Sequence, residues 1–191
     1  MTPQKRLFDL TLALVTATVL ALPFSLLVAV LLIREGRPIF YVSERMRAPG
    51  RPFRLWKLRT MTVVQADSGV SGGDKSSRIT ATGRFLRRSR LDEIPQLWNV
   101  LRGDMSFVGP RPERPEFIAE LTSKVPFYGQ RHAVRPGLTG WAQVRHRYGA
   151  SVDDSQEKLQ YDLFYIKHMS FAFDLYIVLE TVKTVLVRGG S

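Results

Sequence analysis

Residues 7–33 read LFDLTLALVTATVLALPFSLLVAVLLI, with Asp9 the only charge and none at all from Leu10 to Ile33. As a helix, those last 24 residues would extend about 36 Å, enough to cross a hydrocarbon layer of roughly 30 Å. The run is too long for a secretory signal and no small-residue cleavage site follows it. Its uniform apolarity also argues against an ordinary core helix. Pro23 lies near the middle, where its missing N–H and its ring predict a kink or break. Each arm is then about 15–20 Å long, too short to span alone. Lys5 and Arg6 precede the run and Arg34 and Arg37 follow it, so the preference of cations for the cytoplasmic side would hold both ends there. The pattern favours residues 1–36 as a re-entrant membrane helix hairpin broken at Pro23, with a single crossing as the alternative.

Outward from that run, residues 37–191 have the length of one small soluble domain. The whole chain carries a formal charge of +11 and a pI near 10.4, which calls for an anionic partner: nucleic acid, anionic lipid or a phosphorylated substrate. It has no cysteine, which excludes disulfides, thiolate metal sites and a cysteine nucleophile, and its three histidines stand in no metal-ligand spacing. Ile39–Arg45 and Phe53–Thr60 are rich in strand formers and flank Ala48-Pro49-Gly50, predicting a β-hairpin. Ser68–Ser77 reads as a loop; its Gly73-Asp74-Lys75-Ser76 fails as a P-loop, since the lysine does not follow the glycine directly and no strand leads in. Short helices are predicted over Gly83–Arg90, with Phe85 and Leu86 inward, and over Ile94–Arg102, with Pro95 in its first turn. Others are expected over Pro115–Ser123 and about Gln156–Lys167, with a loop entering a strand-like segment at Arg135–Val144. In 171–187, Leu175, Leu179, Val182 and Leu186 recur at helical spacing, a stripe that either packs on the core or lies on a bilayer. The fold class is thus α+β, mainly helical.

Asp92 and Glu93 stand side by side ahead of the second of these short helices, among arginines. An N-cap and a dipole-complementing first turn would account for them. Their basic surroundings suit a different task. A helix start and nearby arginines favour an ionised Asp92, and a carboxylate can attack an activated phosphorus in line. Glu93 beside it could serve Mg²⁺, which takes one or two carboxylates plus phosphate oxygens, while arginines neutralise charge on the transferring group.

The motifs occur in a recognisable order. They are Lys57–Met61 (KLRTM), Arg78–Thr80 (RIT), Gly83–Arg88 (GRFLRR), Leu91–Val100 (LDEIPQLWNV), Gly109–Pro112 (GPRP) and Arg135–Val144 (RPGLTGWAQV), continued by Tyr161-Asp162 and Asp174-Leu175. Over nearly its whole length the chain resembles the bacterial sugar transferases, monotopic phosphoglycosyl transferases. The resemblance implies a re-entrant membrane helix and a small catalytic domain, with a β-hairpin and interfacial amphipathic helices, on the cytoplasmic face of the bacterial inner membrane. It implies transfer of a sugar 1-phosphate from a UDP-sugar to undecaprenyl phosphate, giving UMP and undecaprenyl-diphospho-sugar, as the first membrane step of exopolysaccharide, capsule or O-antigen synthesis. Asp92 would attack the β-phosphorus and carry the sugar phosphate covalently. Glu93, with Asp92, would serve Mg²⁺, and Arg111 would bind nucleotide or phosphate. Arg147 falls near another substrate arginine of the family, although Arg145-His146-Arg147 replaces the usual Asn-Gly-Arg and leaves Arg145 as a rival. Lys57, Arg59, Arg87 and Arg88 are further phosphate-binding candidates. The family's membrane break commonly has serine before proline; here Leu22 precedes Pro23, with Thr16, Thr18 and Ser25 nearby to satisfy a freed carbonyl. Overall likeness leans toward glucose or galactose.

An anionic bilayer is the remaining implied partner, and a homodimer is left open. Two other readings compete. A membrane adaptor would use its arginines for lipid and its carboxylates as caps, and would tolerate Asp92→Asn. A nucleic-acid module fits the charge but shows no helix-turn-helix, zinc-finger or RNA-binding-sheet signature, so no nucleic acid is expected as a partner.

Overall fold

The computed structural model describes residues 2–63, 77–146 and 152–188; the predicted loop around Gly73 and the residue Arg147 lie outside them. Helix α1 (Pro3–Glu35) begins with Thr2 as its N-cap and continues through Pro23 as one helical element. The expected interruption is therefore not a break between two helices. The Ser25 hydroxyl donates to Ala21 O at 2.8 Å and Thr18 to Leu14 O at 2.9 Å, the back-bonding that bends helices on either side of a proline. Neither reaches Val19, whose carbonyl Pro23 deprives of its N–H.

α1 is not merely an appendage. Asp9 and Ala13 are fully buried in the main core and Leu31 in a second cluster, while Val19 and Leu22 stay about 70 % exposed. Asp9 is the one charge of the apolar run because it has partners. Its Oδ2 accepts from the Ser106 hydroxyl at 2.7 Å and its Oδ1 from the Phe107 N–H at 3.1 Å and from Lys5 Nζ at 2.9 Å. Lys5 bridges on to Asp174 at 2.7 Å, and Asp174 accepts from the Tyr165 hydroxyl. A buried charge is tolerated only when paired and hydrogen-bonded in this way. At the start of the helix Arg6 donates to Val100 O and Leu101 O; at its end Arg59 donates to Glu35 O and Gly36 O. Both ends of the long apolar helix are thus tied to the same body.

The hairpin forms as predicted: β1 (Phe40–Ala48) pairs antiparallel with β2 (Arg51–Leu58), and Gly50 supplies the left-handed residue at its turn. Helix α2 (Ala81–Arg88) follows, capped by Thr80; Leu86 is buried, but Phe85 is 59 % exposed, a correction to the expected inward pair. Helix α3 (Gln96–Arg102) leads to β3 (Ser106–Val108), and α4 (Pro115–Lys124) follows the Gly-Pro-Arg-Pro turn. β3 pairs in parallel with β4 (Gly137–Thr139). Here glycine is required by space: a Cβ at Gly137 would stand 2.1 Å from Gly109 N. The segment expected to continue as strand instead becomes helix α5 (Trp141–Arg145).

Helices α6 (Val152–His168) and α7 (Phe171–Arg188) follow. On α7 the outcome is clear. Asp174 and Ile177 face the core, whereas Phe171, Leu179 and Leu186 are 66, 60 and 79 % exposed. The predicted apolar stripe turns outward, not onto the protein.

Candidate active site

Arg90 adopts a left-handed backbone (φ 58°) and starts a 3-10 turn, Leu91–Glu93, rather than the first turn of α3. Such a conformation is costly for a side chain larger than glycine and is kept where the fold over-determines it. Pro95 occupies the position before α3, and neither the 3-10 turn nor α3 has a side-chain cap. The capping explanation for Asp92 and Glu93 therefore fails. Both are buried, at 6 and 8 % exposure, with no cap to justify it.

Their surroundings separate the two carboxylates. Glu93 Oε1 accepts from Lys57 Nζ and from Arg111 Nη2, each at 2.8 Å, with Arg90 Nη1 at 3.9 Å. All three cations address the same oxygen, and no residue among those described bonds Oε2. Burial works to raise the Glu93 carboxyl, but Arg111 and Lys57 overcome it and hold it well below the usual range. Asp92 has the opposite fate. Its Oδ1 is buried with no hydrogen-bond partner among the described residues. Burial, and then the Glu93 anion, push its carboxyl above the ordinary aspartate range, against the pull of Lys57, Arg90 and Arg87. This corrects the expectation that arginines and a helix start would dominate. The result is one carboxylate fixed as an anion and one more basic than usual, in two different environments.

Other candidates divide by position. Lys57, from β2, and Arg111, from the Gly-Pro-Arg-Pro turn, converge on Glu93. Arg87 donates through Nε to Thr60 Oγ1 at 2.9 Å and contributes its charge to Asp92. Arg88 is exposed on α2, and among the described residues no hydrogen bond or ion pair places it in the site. Arg59 is occupied with the carbonyls at the end of α1. We expect Arg59→Met to cost about 1.5 kcal/mol, a typical value for a charged donor, while leaving the KM for nucleotide substrate within about twofold. Thermal unfolding and steady-state kinetics check this. Arg145 stacks over the Trp141 ring at 4.4 Å and donates to the Tyr176 hydroxyl.

Sequence reasoning missed the braces. Gln143 Oε1 accepts Arg111 Nη1 at 2.8 Å, and Arg131 Nη2 donates to the Arg111 carbonyl at 2.9 Å and to Asp162 at 2.8 Å. Asn99, fully buried, accepts from Trp56 N and donates to Arg54 O, fastening α3 to β2. The signal was present: Asn99 and Gln143 are amides set among apolar helical neighbours.

The profile of the family described as bacterial sugar transferase matches residues 1–188. The chain is 41 % identical over 189 residues to the UDP-N-acetylgalactosamine-undecaprenyl-phosphate N-acetylgalactosaminephosphotransferase of Aeromonas hydrophila, covering 98 % of this chain and 44 % of that protein. It is 40 % identical over 186 residues to the uncharacterized sugar transferase EpsL of Bacillus subtilis (strain 168), covering 97 % and 89 %. Against the UDP-glucose:undecaprenyl-phosphate glucose-1-phosphate transferase of Escherichia coli (strain K12) the identity is 34 % over 181 residues, covering 93 % and 39 %. The chain therefore spans less than half the length of two of these three relatives.

Proposed function

The chain belongs to the bacterial sugar transferase family, and we propose that it moves a sugar 1-phosphate from a UDP-sugar to undecaprenyl phosphate through Asp92. The observation that carries this reading is the division between the two neighbouring carboxylates. Glu93 is fastened by Lys57 and Arg111, while Asp92 is buried, of raised basicity, and has an oxygen without a protein partner among the described residues. In the first step an Asp92 oxygen bonds the β-phosphorus, the bond from that phosphorus to the α–β bridging oxygen breaks, and UMP leaves. In the second, a phosphate oxygen of undecaprenyl phosphate bonds the same phosphorus and the Asp92–phosphorus bond breaks, which regenerates the carboxylate. Arg111 and Lys57 would meet charge on the diphosphate.

A divalent cation suits this donor set. Asp92 Oδ1 and Glu93 Oε2 are oxygen donors on adjacent residues without protein partners among those described. No cluster of three or more acidic or histidine side chains is found among the described residues, so water and phosphate oxygens would complete the shell, as Mg²⁺ prefers. Bound there, Mg²⁺ would offset charge on the transferring phosphoryl group.

The outward stripe of α7, the exposed middle of α1 and the attachment of both α1 ends to one body support a monotopic, re-entrant placement on the cytoplasmic face of the inner membrane. A helix of 33 residues would extend about 50 Å if straight, well beyond a hydrocarbon core of roughly 30 Å. Because the chain has no cysteine, the single substitutions Thr2→Cys and Arg37→Cys can report its topology. We expect both to label from the same, cytoplasmic, side in inverted vesicles; labelling from opposite sides would establish a crossing.

The activity itself is tested by UMP release from a panel of UDP-sugars in the presence of undecaprenyl phosphate. The relatives' names divide between N-acetylgalactosamine and glucose, so both belong in the panel.

A further inference from the structure

Arg111 and Glu93 meet through one bond, Nη2 to Oε1 at 2.8 Å, although a guanidinium facing a carboxylate commonly closes two parallel bonds. Gln143 supplies the reason. Its Oε1 takes Arg111 Nη1 at 2.8 Å, which occupies that arm of the fork. Gln143 stands in α5 between buried Ala142 and Val144; its Nε2 is buried near Gly140 without a hydrogen-bond partner among the described residues, so Arg111 is the amide's one hydrogen-bond partner among them. Gly140 in turn lies so near the start of the Gly-Pro-Arg-Pro turn that a Cβ there would be 2.1 Å from Gly109 O.

The geometry points to Gln143 as a positioning residue that keeps the Arg111–Glu93 pair single-bonded, which leaves Glu93 Oε2 to a divalent cation and keeps Arg111 from closing fully on Glu93 at the diphosphate's expense. This role rests on the function proposed above. Without the amide acceptor, Nη1 would turn to Glu93 Oε2, the other oxygen of the carboxylate that Nη2 already holds. The fork then closes on both carboxylate oxygens, and Arg111 is withdrawn from substrate without any loss of packing or pairing within the protein.

That last point separates positioning from plain structural support. Gln143→Met keeps the length and volume of the side chain but offers no comparable acceptor; Gln143→Ala provides a second variant if methionine disturbs α5. With the full chain in nanodiscs, we expect either substitution to weaken UMP binding by calorimetry about tenfold, the worth of roughly one charge-assisted hydrogen bond. The UDP-sugar KM should rise in parallel, and in Gln143→Met, which keeps the side chain's volume, the melting temperature should hold or increase. In a Glu93→Gln background the Glu93 carboxylate oxygen that would close the fork is gone, so Gln143→Met should cost less than about twofold, a strong non-additivity. An equal loss in both backgrounds, or a fall in melting temperature matching the loss of affinity, would overturn the role. Unaltered UMP binding in Gln143→Met, beside a parent chain that turns over, would sink this inference alone. A parent chain that neither binds UMP nor releases it from any UDP-sugar would remove the proposed function and this role with it.

Discussion

Asp92→Asn is expected to abolish turnover, by on the order of a thousandfold or more for loss of a covalent nucleophile, while leaving the protein as stable as its parent or more so. The stability half of this prediction follows from the raised carboxyl. A group whose folded pKa exceeds its unfolded value stabilises the fold most when protonated. Its contribution is full below the ordinary aspartate range and declines as pH rises toward the raised value. At neutral pH the ionised Asp92 is therefore a burden on the fold, held there by its neighbours, and the neutral amide relieves it. Loss of activity with a held or increased melting temperature marks a residue kept for chemistry. Calorimetry beside UMP-release kinetics checks both halves, and an inactive variant that also melts early would indicate a structural carboxylate instead.

Glu93→Gln should behave in the opposite way. The Glu93 carboxyl is depressed by Arg111 and Lys57, so its stabilisation is present above the unfolded glutamate range and disappears as pH falls through the folded value. Removing one partner from a buried charge cluster typically costs about 3–5 kcal/mol. Arg111 is one-third exposed at its side chain and the amide keeps an acceptor oxygen, so about 2 kcal/mol is the better expectation here. For a chain of this size that lowers the melting temperature at neutral pH by roughly 4–8 °C, with the gap from the parent narrowing in acid. The same substitution removes the anion that helps hold the Asp92 pKa up and leaves Lys57 to act on Asp92 alone. The acid limb of kcat/KM should consequently move to lower pH, although the rate itself falls. A limb that stays in place would show that Glu93 does not set the protonation of its neighbour.

How far the sequence led can be judged from particular residues. The apolar run and the hairpin were legible because composition and turn chemistry act locally: Leu10–Ile33 has no competing pattern, and Pro49-Gly50 admits few other conformations. Asp92 and Glu93 were legible as a pair, but their inequality was not. It arises from Lys57 and Arg111, which come from β2 and from the turn after β3, and from burial that no local window reports. Asp9 illustrates the same limit. Read alone it is a lone charge at the edge of a membrane helix; its partners Ser106, Phe107 and Lys5 appear only once β3 is laid against α1. On α7 the period was plain, yet periodicity identifies a face without saying what it meets. The carboxylate Asp174, placed inward with Ile177, decides the matter by pairing with Lys5.

The claim on which the rest depends is a bond between Asp92 and phosphorus, and mass spectrometry of the intact chain tests it most directly. The purified protein is incubated with its UDP-sugar and Mg²⁺ in the absence of lipid acceptor. The account predicts an adduct with the mass of one sugar phosphate, located on the peptide containing Asp92, discharged on adding undecaprenyl phosphate and absent from Asp92→Asn. A chain that makes lipid-linked product at full rate while no such adduct forms, or an Asp92→Asn variant that makes it at the parental rate, would contradict it.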